Sequence, residues 1–200
     1  MIHTRRLTLR RVHKSDLEDF YEYSHDPNVG PSSGWEPHAD RRRTRFIMKM
    51  HYLKNPFAWG IIYEGKLIGS ISLDTDRKRL NDRVMMLGYS LSSKYWGMGI
   101  MSEAAPAVIE YMFENYDMDA ISIYCYPENT RSKRIIEKCG FEYEGLLHMA
   151  QRRFDGQIKD NLCYILTEKR FKAVKNSLPI YQMEHNYKDG NTELRDKGRM

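Results

Sequence analysis

The residues best placed to do chemistry lie in one run: Met86-Leu87-Gly88-Tyr89-Ser90-Leu91, then Ser92 to Trp96, then Gly97-Met98-Gly99-Ile100-Met101. The first segment is apolar enough for a strand, the second reads as a loop, and the glycines open onto a helical run from Ile100 to Phe113. Glycine lets the backbone come close to a ligand, and the unpaired amides of the helix's first turn point outward at it. A phosphate suits such a turn. Lys94, three residues before Gly97, could add a point charge. The same residues also suit an ordinary strand-to-helix connection whose glycines only relieve crowding.

Spacing separates the nucleotide motifs. No G-x-x-x-x-G-K-[ST] string occurs, which removes the P-loop. Gly97-x-Gly99-x-x-Ser102 half satisfies a dinucleotide fingerprint, but the chain before it reads as antiparallel hairpins. Lys94-Tyr95-Trp96-Gly97-Met98-Gly99 resembles the R/Q-x-x-G-x-G/A pyrophosphate loop of the GNAT acetyltransferases, with Lys94 in the place of the usual Arg or Gln. The wider string from Gly88-Tyr89 to Ala104 resembles the RimJ/RimL type, the ribosomal-protein N-terminal acetyltransferases and their relatives. Asn129-Thr130-Arg131-Ser132, followed by Glu137-Lys138-x-Gly140-Phe141, is similar to the family's N-x-x-S…E-K-x-G-F segment. Asp160 followed by Tyr164 on the last strand is a third match.

The resemblance implies an acetyl-CoA-dependent N-acetyltransferase acting on a primary amine, with no metal. It implies that Tyr89, Ser90 and Leu91 pair main chain with pantetheine, and that Gly97, Met98, Gly99, Ile100 and Met101 cradle the pyrophosphate beside Lys94. Asn129 and Ser132 would bond the pantetheine arm and the sulfur end. Ser132 is the family's candidate to protonate the leaving thiolate, or else makes a helix hydrogen bond. For the base, Glu128 and His148 lie on segments near the expected cleft, as does Gln151, which cannot take a proton. Glu103 reads as a partner of the helix dipole. Trp35, Pro37 and His38 match a Gly-Trp-x-Pro-His loop that borders the acceptor site in this family; Trp35 serves equally well as a core plug.

Those residues need a scaffold, and 200 residues suffice for one domain with a good core. Thr4 to Val12 alternates as a half-buried strand, and Ser15-Asp16-Leu17-Glu18 is a capping-box sequence before a helix that ends at Pro27. Asp40 caps a second helix to about Leu53, with Phe46, Ile47 and Met50 as its buried stripe. Phe57 to Tyr63 and Lys66 to Thr75 flank the hairpin turn Glu64-Gly65. After the central helix, in which Pro106 predicts a late start or a distorted first turn, Ala120 to Tyr126 is a strand parallel to the first run. Asn129 caps a short helix stopped by Gly140, and Phe141 to Ala150 and Gln157 to Thr167 close the order β-α-α-β-β-β-α-β-α-β-β. That order agrees with the GNAT fold: α/β (α+β), a mixed sheet of about seven strands with a splayed parallel pair, and four helices. Residues 1–171 form the catalytic domain, and 172–200 a polar extension in which Ile180-Tyr181-x-Met183 is the one part suited to docking.

Composition narrows the setting. Three widely spaced cysteines in apolar segments read as buried thiols of a cytoplasmic protein, without zinc spacing. No run approaches membrane-spanning length. Net charge is +5, yet the 32 basic residues are spread among 27 acidic ones, and Arg41-Arg42-Arg43-x-Arg45 reads as a solvated helix face. That argues against nucleic acid as a partner and suits a polyanionic cofactor. The expected partner is an amine-bearing acceptor, for a monomer or homodimer. A peptide N-terminal α-amine leads. A small-molecule amine (polyamine, amino acid or aminoglycoside), a basic RNA-associated module and an acyl-CoA sensor without turnover are the alternatives.

Overall fold

A computed structural model describes residues 1–179; the Ile180-Tyr181-x-Met183 segment lies outside the described residues. One half of the sheet is built from antiparallel neighbours. β1 (Ile2–His3) pairs with β2 (Leu7–Arg11), β2 with β3 (Ala58–Tyr63), β3 with β4 (Lys66–Thr75) and β4 with β5 (Val84–Leu91). In the β3–β4 turn, Glu64 and Gly65 have φ of 50° and 80°, as the hairpin sequence demands.

The helix α3 (Ile100–Asn115) then carries the chain to β6 (Ala120–Cys125), which runs parallel to β5. The strand β8 (Ile158–Thr167) pairs antiparallel with β6 on one side and with β7 (Glu142–Arg152) on the other, giving the order β1-β2-β3-β4-β5-β6-β8-β7. Among the described residues there are thus eight strands, one more than the seven or so expected. β1 is too short to show any alternation. The helices also number five among the described residues: α1 (Leu17–Ser24), α2 (Arg41–Ile47), α3, α4 (Thr130–Lys138) and α5 (Glu168–Val174). α5 crosses Lys172, where the apolar period fades, and Phe171 and Leu178 are both buried in the main core.

Two helices depart from the sequence reading. The expected Ser15 capping box does not form before α1; the Asp16 carboxylate accepts the His13 amide at 2.7 Å and both ends of the Arg10 guanidinium at 2.8 Å. Asp40 caps α2 as expected, taking the Arg43 amide at 2.8 Å. The buried stripe, however, is Thr44 and Met48, while Phe46 and Met50 are 53% and 58% exposed. Met48–Tyr52 forms a π-helical turn, whose extra residue shifts the phase of a 3.6-residue period. Thr44 goes inward because it has a polar partner, His38. Arg41, Arg42, Arg43 and Arg45 are exposed, as a solvated face should be.

The β5–β6 ladder has only three rungs, Val84 with Ala120, Met85 with Ile121 and Met86 with Ser122. Beyond them β5 stays paired to β4 as far as Leu91, and β6 to β8 as far as Cys125. The two strands run on with no ladder between them, leaving a split. Strand alternation decides what faces each side of it. Leu87, Leu91, Ile121 and Ile123 pack in the core with α3, whereas Ser90, Ser122 and Tyr124 point to the opposite face. There the Ser70 hydroxyl joins Ser90 to Tyr23 of α1.

Candidate active site

A cavity of about 730 Å³ occupies the split and is lined by residues from both faces of the sheet. On the α3 side it is lined by Gly97, Gly99, Ile100, Met101 and Ser102. Gly97 and Gly99 hold φ of 80° and 74°, conformations that favour glycine. A Cβ added at Gly97 or Gly88 would meet no atom within 4 Å, so the backbone here borders open space. The first α-helical bond runs from the Glu103 amide to the Gly99 carbonyl at 3.1 Å, which leaves the amides of Ile100, Met101 and Ser102 without an acceptor inside the helix. Arg131, Arg134 and Lys138 of α4 line the same end, and the Arg131 guanidinium lies 4.0 Å from the Trp96 ring centre. Outward amides, an open glycine turn and three cations fit a polyanion such as the diphosphate of coenzyme A.

The turn is fixed from behind. Glu103, 1% exposed, accepts hydrogen bonds from Thr4 Oγ1 (2.6 Å), the Arg6 amide (2.8 Å) and Arg6 Nε (2.7 Å). Arg6 Nη1 then donates to the Met98 carbonyl at 3.0 Å. Burial alone would raise the Glu103 pKa, but these donors hold it below the ordinary carboxylate value. Glu103 therefore ties the β1–β2 segment to the glycine turn, beyond any effect on the helix dipole. α3 starts at Ile100, so the late start expected from Pro106 is not taken. Pro106 is buried within the helix and leaves the Ser102 carbonyl without its amide four residues on.

Several of the singled-out residues converge on the split. Tyr89, Ser90 and Leu91 line it from β5, and Asn129 and Ser132 from the start of α4. The Tyr89 and Ser132 hydroxyls lie 2.9 Å apart. Burial pushes the Tyr89 phenol well above its ordinary pKa. Asn129 caps α4 by accepting the Ser132 amide at 3.1 Å and donates to the Ser32 carbonyl at 2.9 Å, tying the helix to the loop before Trp35. Trp35 lines the cavity.

Others are placed elsewhere. Lys94 Nζ pairs with Glu22 at 2.7 Å, away from the cavity lining, because Glu22 gathers both Lys66 and Lys94. Met98 is also off the lining and contributes its carbonyl to Arg6. Glu128 sits outside the cavity in a 2.7 Å ion pair with Lys159, whose hydrogen bond lowers its pKa. His148 is exposed on the edge strand β7, with Nδ1 2.9 Å from Asp160 Oδ2. His38 is 5% exposed, with Nδ1 2.8 Å from Ser24 Oγ and 3.0 Å from Thr44 Oγ1. Burial, reinforced by Arg43, lowers its pKa to about 4. His38 thus holds the Trp35 loop in place from inside the α1–α2 layer.

On the face opposite α3, Gln151 is the one lining residue that the sequence reading places near the cleft. Tyr52, Ser72, Lys78, Tyr124, Tyr126, Gln151 and Asn161 line the cavity there. For the others the available signal is the alternation of β6, which puts Ser122 and Tyr124 on the side away from the apolar Ile121 and Ile123. Among the described residues no Asp or Glu lines the cavity. Cys125 also lines it, with its thiol pushed up to about 11 by burial. Among the described residues no group of three or more His, Cys, Asp or Glu could hold a metal ion, and no helix is long and apolar enough to cross a membrane.

Residues 6–142 match the acetyltransferase (GNAT) domain family. The chain belongs to the GNAT acetyltransferases. Within the GNAT family it is 30% identical over 178 residues to the ribosomal protein uS5-alanine N-acetyltransferase of Escherichia coli, covering 82% of this chain and 89% of that protein. A GNAT-family acetyltransferase from Bacillus anthracis is similar in structure, with a TM-score of 0.74 at 27% identity over 84% of this chain and 98% of the other. The RimL ribosomal L7/L12 α-N-protein acetyltransferase, solved with coenzyme A, shares the fold at a TM-score of 0.68 and 18% identity over 82% and 95% of the two chains. The RimJ/RimL resemblance read from the motifs agrees with these relatives.

Proposed function

We propose that this GNAT enzyme transfers the acetyl group of acetyl-CoA to the α-amine of a peptide or protein N-terminus. When bound, the thioester supplies an acyl carbon already activated toward amines. The amides of Ile100, Met101 and Ser102 and the cations of α4 would hold the phosphates, and the β5 edge that faces the split would pair with the pantetheine arm. The Ser132 and Tyr89 hydroxyls hold a proton beside the split, available to the departing sulfur.

The observation that carries the acceptor class is the absence of any carboxylate from the cavity lining among the described residues. A lysine-like amine with a pKa near 10.4 is only about 0.04% neutral at pH 7, whereas an α-amine near 7.8 is roughly 10 to 15% neutral. The first needs a few hundredfold more deprotonation, and a polyamine also needs anionic walls to hold its remaining charges. Here the charged lining residues are all cationic: Lys78, Arg131, Arg134 and Lys138. The uS5-alanine N-acetyltransferase relative, whose acceptor is an alanine of a ribosomal protein, supports the same reading.

The test is a rate comparison at pH 7 between short peptides with a free Ala or Ser N-terminus, spermidine and a lysine side chain. The peptides should have the highest kcat/KM. A faster rate for spermidine or lysine would overturn the proposal.

A further inference from the structure

The α-amine reading leaves open what accompanies the amine, and Lys78 bears on that question. Its ammonium lies 3.7 Å from the centre of the Tyr124 ring. Tyr124 is two residues past the last β5–β6 rung at Ser122, level with Gly88 on the opposite strand, and its side chain is on the face away from α3. The ammonium therefore stands on the face of the split away from α3 and its glycine turn. The other lining cations, Arg131, Arg134 and Lys138, come from α4, with Arg131 stacked on Trp96 beside the glycine turn.

The loop that carries Lys78 is fixed, and its neighbouring carboxylates are already engaged. Asp76, 1% exposed, accepts from Ser122 Oγ (2.6 Å), the Tyr124 hydroxyl (2.6 Å), the Lys78 amide (2.9 Å) and Arg79 Nε (3.2 Å). Glu144 pairs with Arg79. The Lys78 ammonium has no carboxylate within 4 Å among the described residues, and it borders a cavity that carries no negative charge of its own. A charged donor held by an anchored loop beside a site without counter-ions matches an anionic group on the guest.

Resting on the α-amine proposal, we infer that the acceptor carries a carboxylate within a residue or two of its reactive amine, and that Lys78 recognises it. The carboxylate belongs either to an acidic side chain next to the N-terminus of a peptide or to a free amino acid. The chemistry is the same, and substrates can tell the two sources apart.

The experiment measures CoA release by the full chain with three C-terminally amidated peptides that begin Ser-Asp, Ser-Asn and Ser-Lys and are otherwise identical. Alanine, alaninamide and spermidine complete the panel. The wild type should favour Ser-Asp over Ser-Asn by about tenfold in kcat/KM. Lys78→Gln should bring that ratio to near one, and Lys78→Glu should turn the preference toward Ser-Lys. A faster rate for alanine than for the Ser-Asp peptide, together with little reaction of alaninamide, would assign the carboxylate to a free amino acid. Equal rates for Ser-Asp and Ser-Asn in the wild type, or an unchanged ratio in Lys78→Gln, would overturn the role of Lys78. Spermidine outrunning every α-amine would instead overturn the α-amine proposal, and the Asp-to-Asn ratio would still report on Lys78. No turnover of any α-amine would overturn both. Lys78 is exposed, so its variants should fold, and the acetyl-CoA-induced rise in Tm verifies that they do.

Discussion

The hydroxyls of Tyr89 and Ser132 meet at 2.9 Å, one from β5 and the other from the first turn of α4. Tyr89 belongs to the last strand of one block, and Ser132 to the helix that follows β6, the first strand of the other. Their contact fixes the Ser132 hydroxyl beside the gap, and the raised pKa of Tyr89 keeps the phenol protonated throughout the working pH range. If Ser132 delivers the proton, Ser132→Ala should lower kcat by about 10²-fold or more while leaving the Kd for acetyl-CoA nearly unchanged. Tyr89→Phe should lose less, and the double variant little more than Ser132→Ala alone, because the two hydroxyls act as a pair. Equal losses in kcat and cofactor affinity, read by steady-state kinetics and titration, would make Ser132 a binding contact only.

Acetyl-CoA should raise the Tm of the wild type, and Gly99→Glu should abolish that rise. A Cβ at Gly99 would start 3.6 Å from Arg6 Nη2, so the new carboxylate would add negative charge at the glycine turn and compete for its Arg6 brace, and an L-residue at φ of 74° adds roughly 1 kcal/mol of strain. Gly97→Ala separates strain from charge. Its methyl group enters open space, so it should destabilise the protein by a similar amount and keep most of the ligand-induced shift.

His38 makes stability depend on pH in a defined window. Its folded pKa of about 4 lies below the ordinary 6.5, so between these values the unfolded chain binds a proton that the folded chain refuses. Stability contributed by neutral His38 is complete above pH 6.5 and falls as the pH drops toward 4, by about 3 kcal/mol in all. His38→Asn should be less stable at pH 7 and show a flatter profile between pH 6.5 and 4.5 in urea unfolding. An identical slope in the variant would place the dependence on another group.

Arg6→Ala removes the Nε donor to Glu103 and the bond to the Met98 carbonyl together. Glu103 keeps Thr4 and the residue 6 amide, so the expected cost is about 2 kcal/mol. Because the glycine turn loses its brace, acetyl-CoA affinity should fall as well, although Arg6 is not among the residues that line the cavity. Calorimetric titration of a variant that binds as tightly as wild type would contradict the bracing role.

The sequence disclosed the α3 side of the site well, because that side depends on backbone. Gly97, Gly99 and the Asn129 cap carry their geometry in local residue types, and local types are visible in a linear string. The opposite face is built from side chains that meet only in the folded sheet. Lys78 sits over Tyr124, 46 positions away in sequence, because the buried Asp76 bonds Ser122 and Tyr124; no motif records that arrangement. Lys94 depends on distant residues in the same way. Its spacing from Gly97 suggests a phosphate ligand, whereas the folded chain pairs this long flexible cation with Glu22 on α1 at 2.7 Å. Phe46 and Met50 fit a helical stripe as well as Thr44 and Met48 do, and the second pair turns inward because Thr44 finds a polar partner in His38.

The shortness of the β5–β6 ladder has a mechanical consequence. Three rungs and the α3 crossover are the chief backbone links between a five-stranded block and a three-stranded one, so the two blocks should open at different free energies. A guest lying in the split and bonded to both free edges would act as an added strand and couple the blocks. Hydrogen exchange of the β6 and β8 amides should then slow on addition of acetyl-CoA even at positions that no ligand atom reaches, and the protein should pass from two exchange units to one.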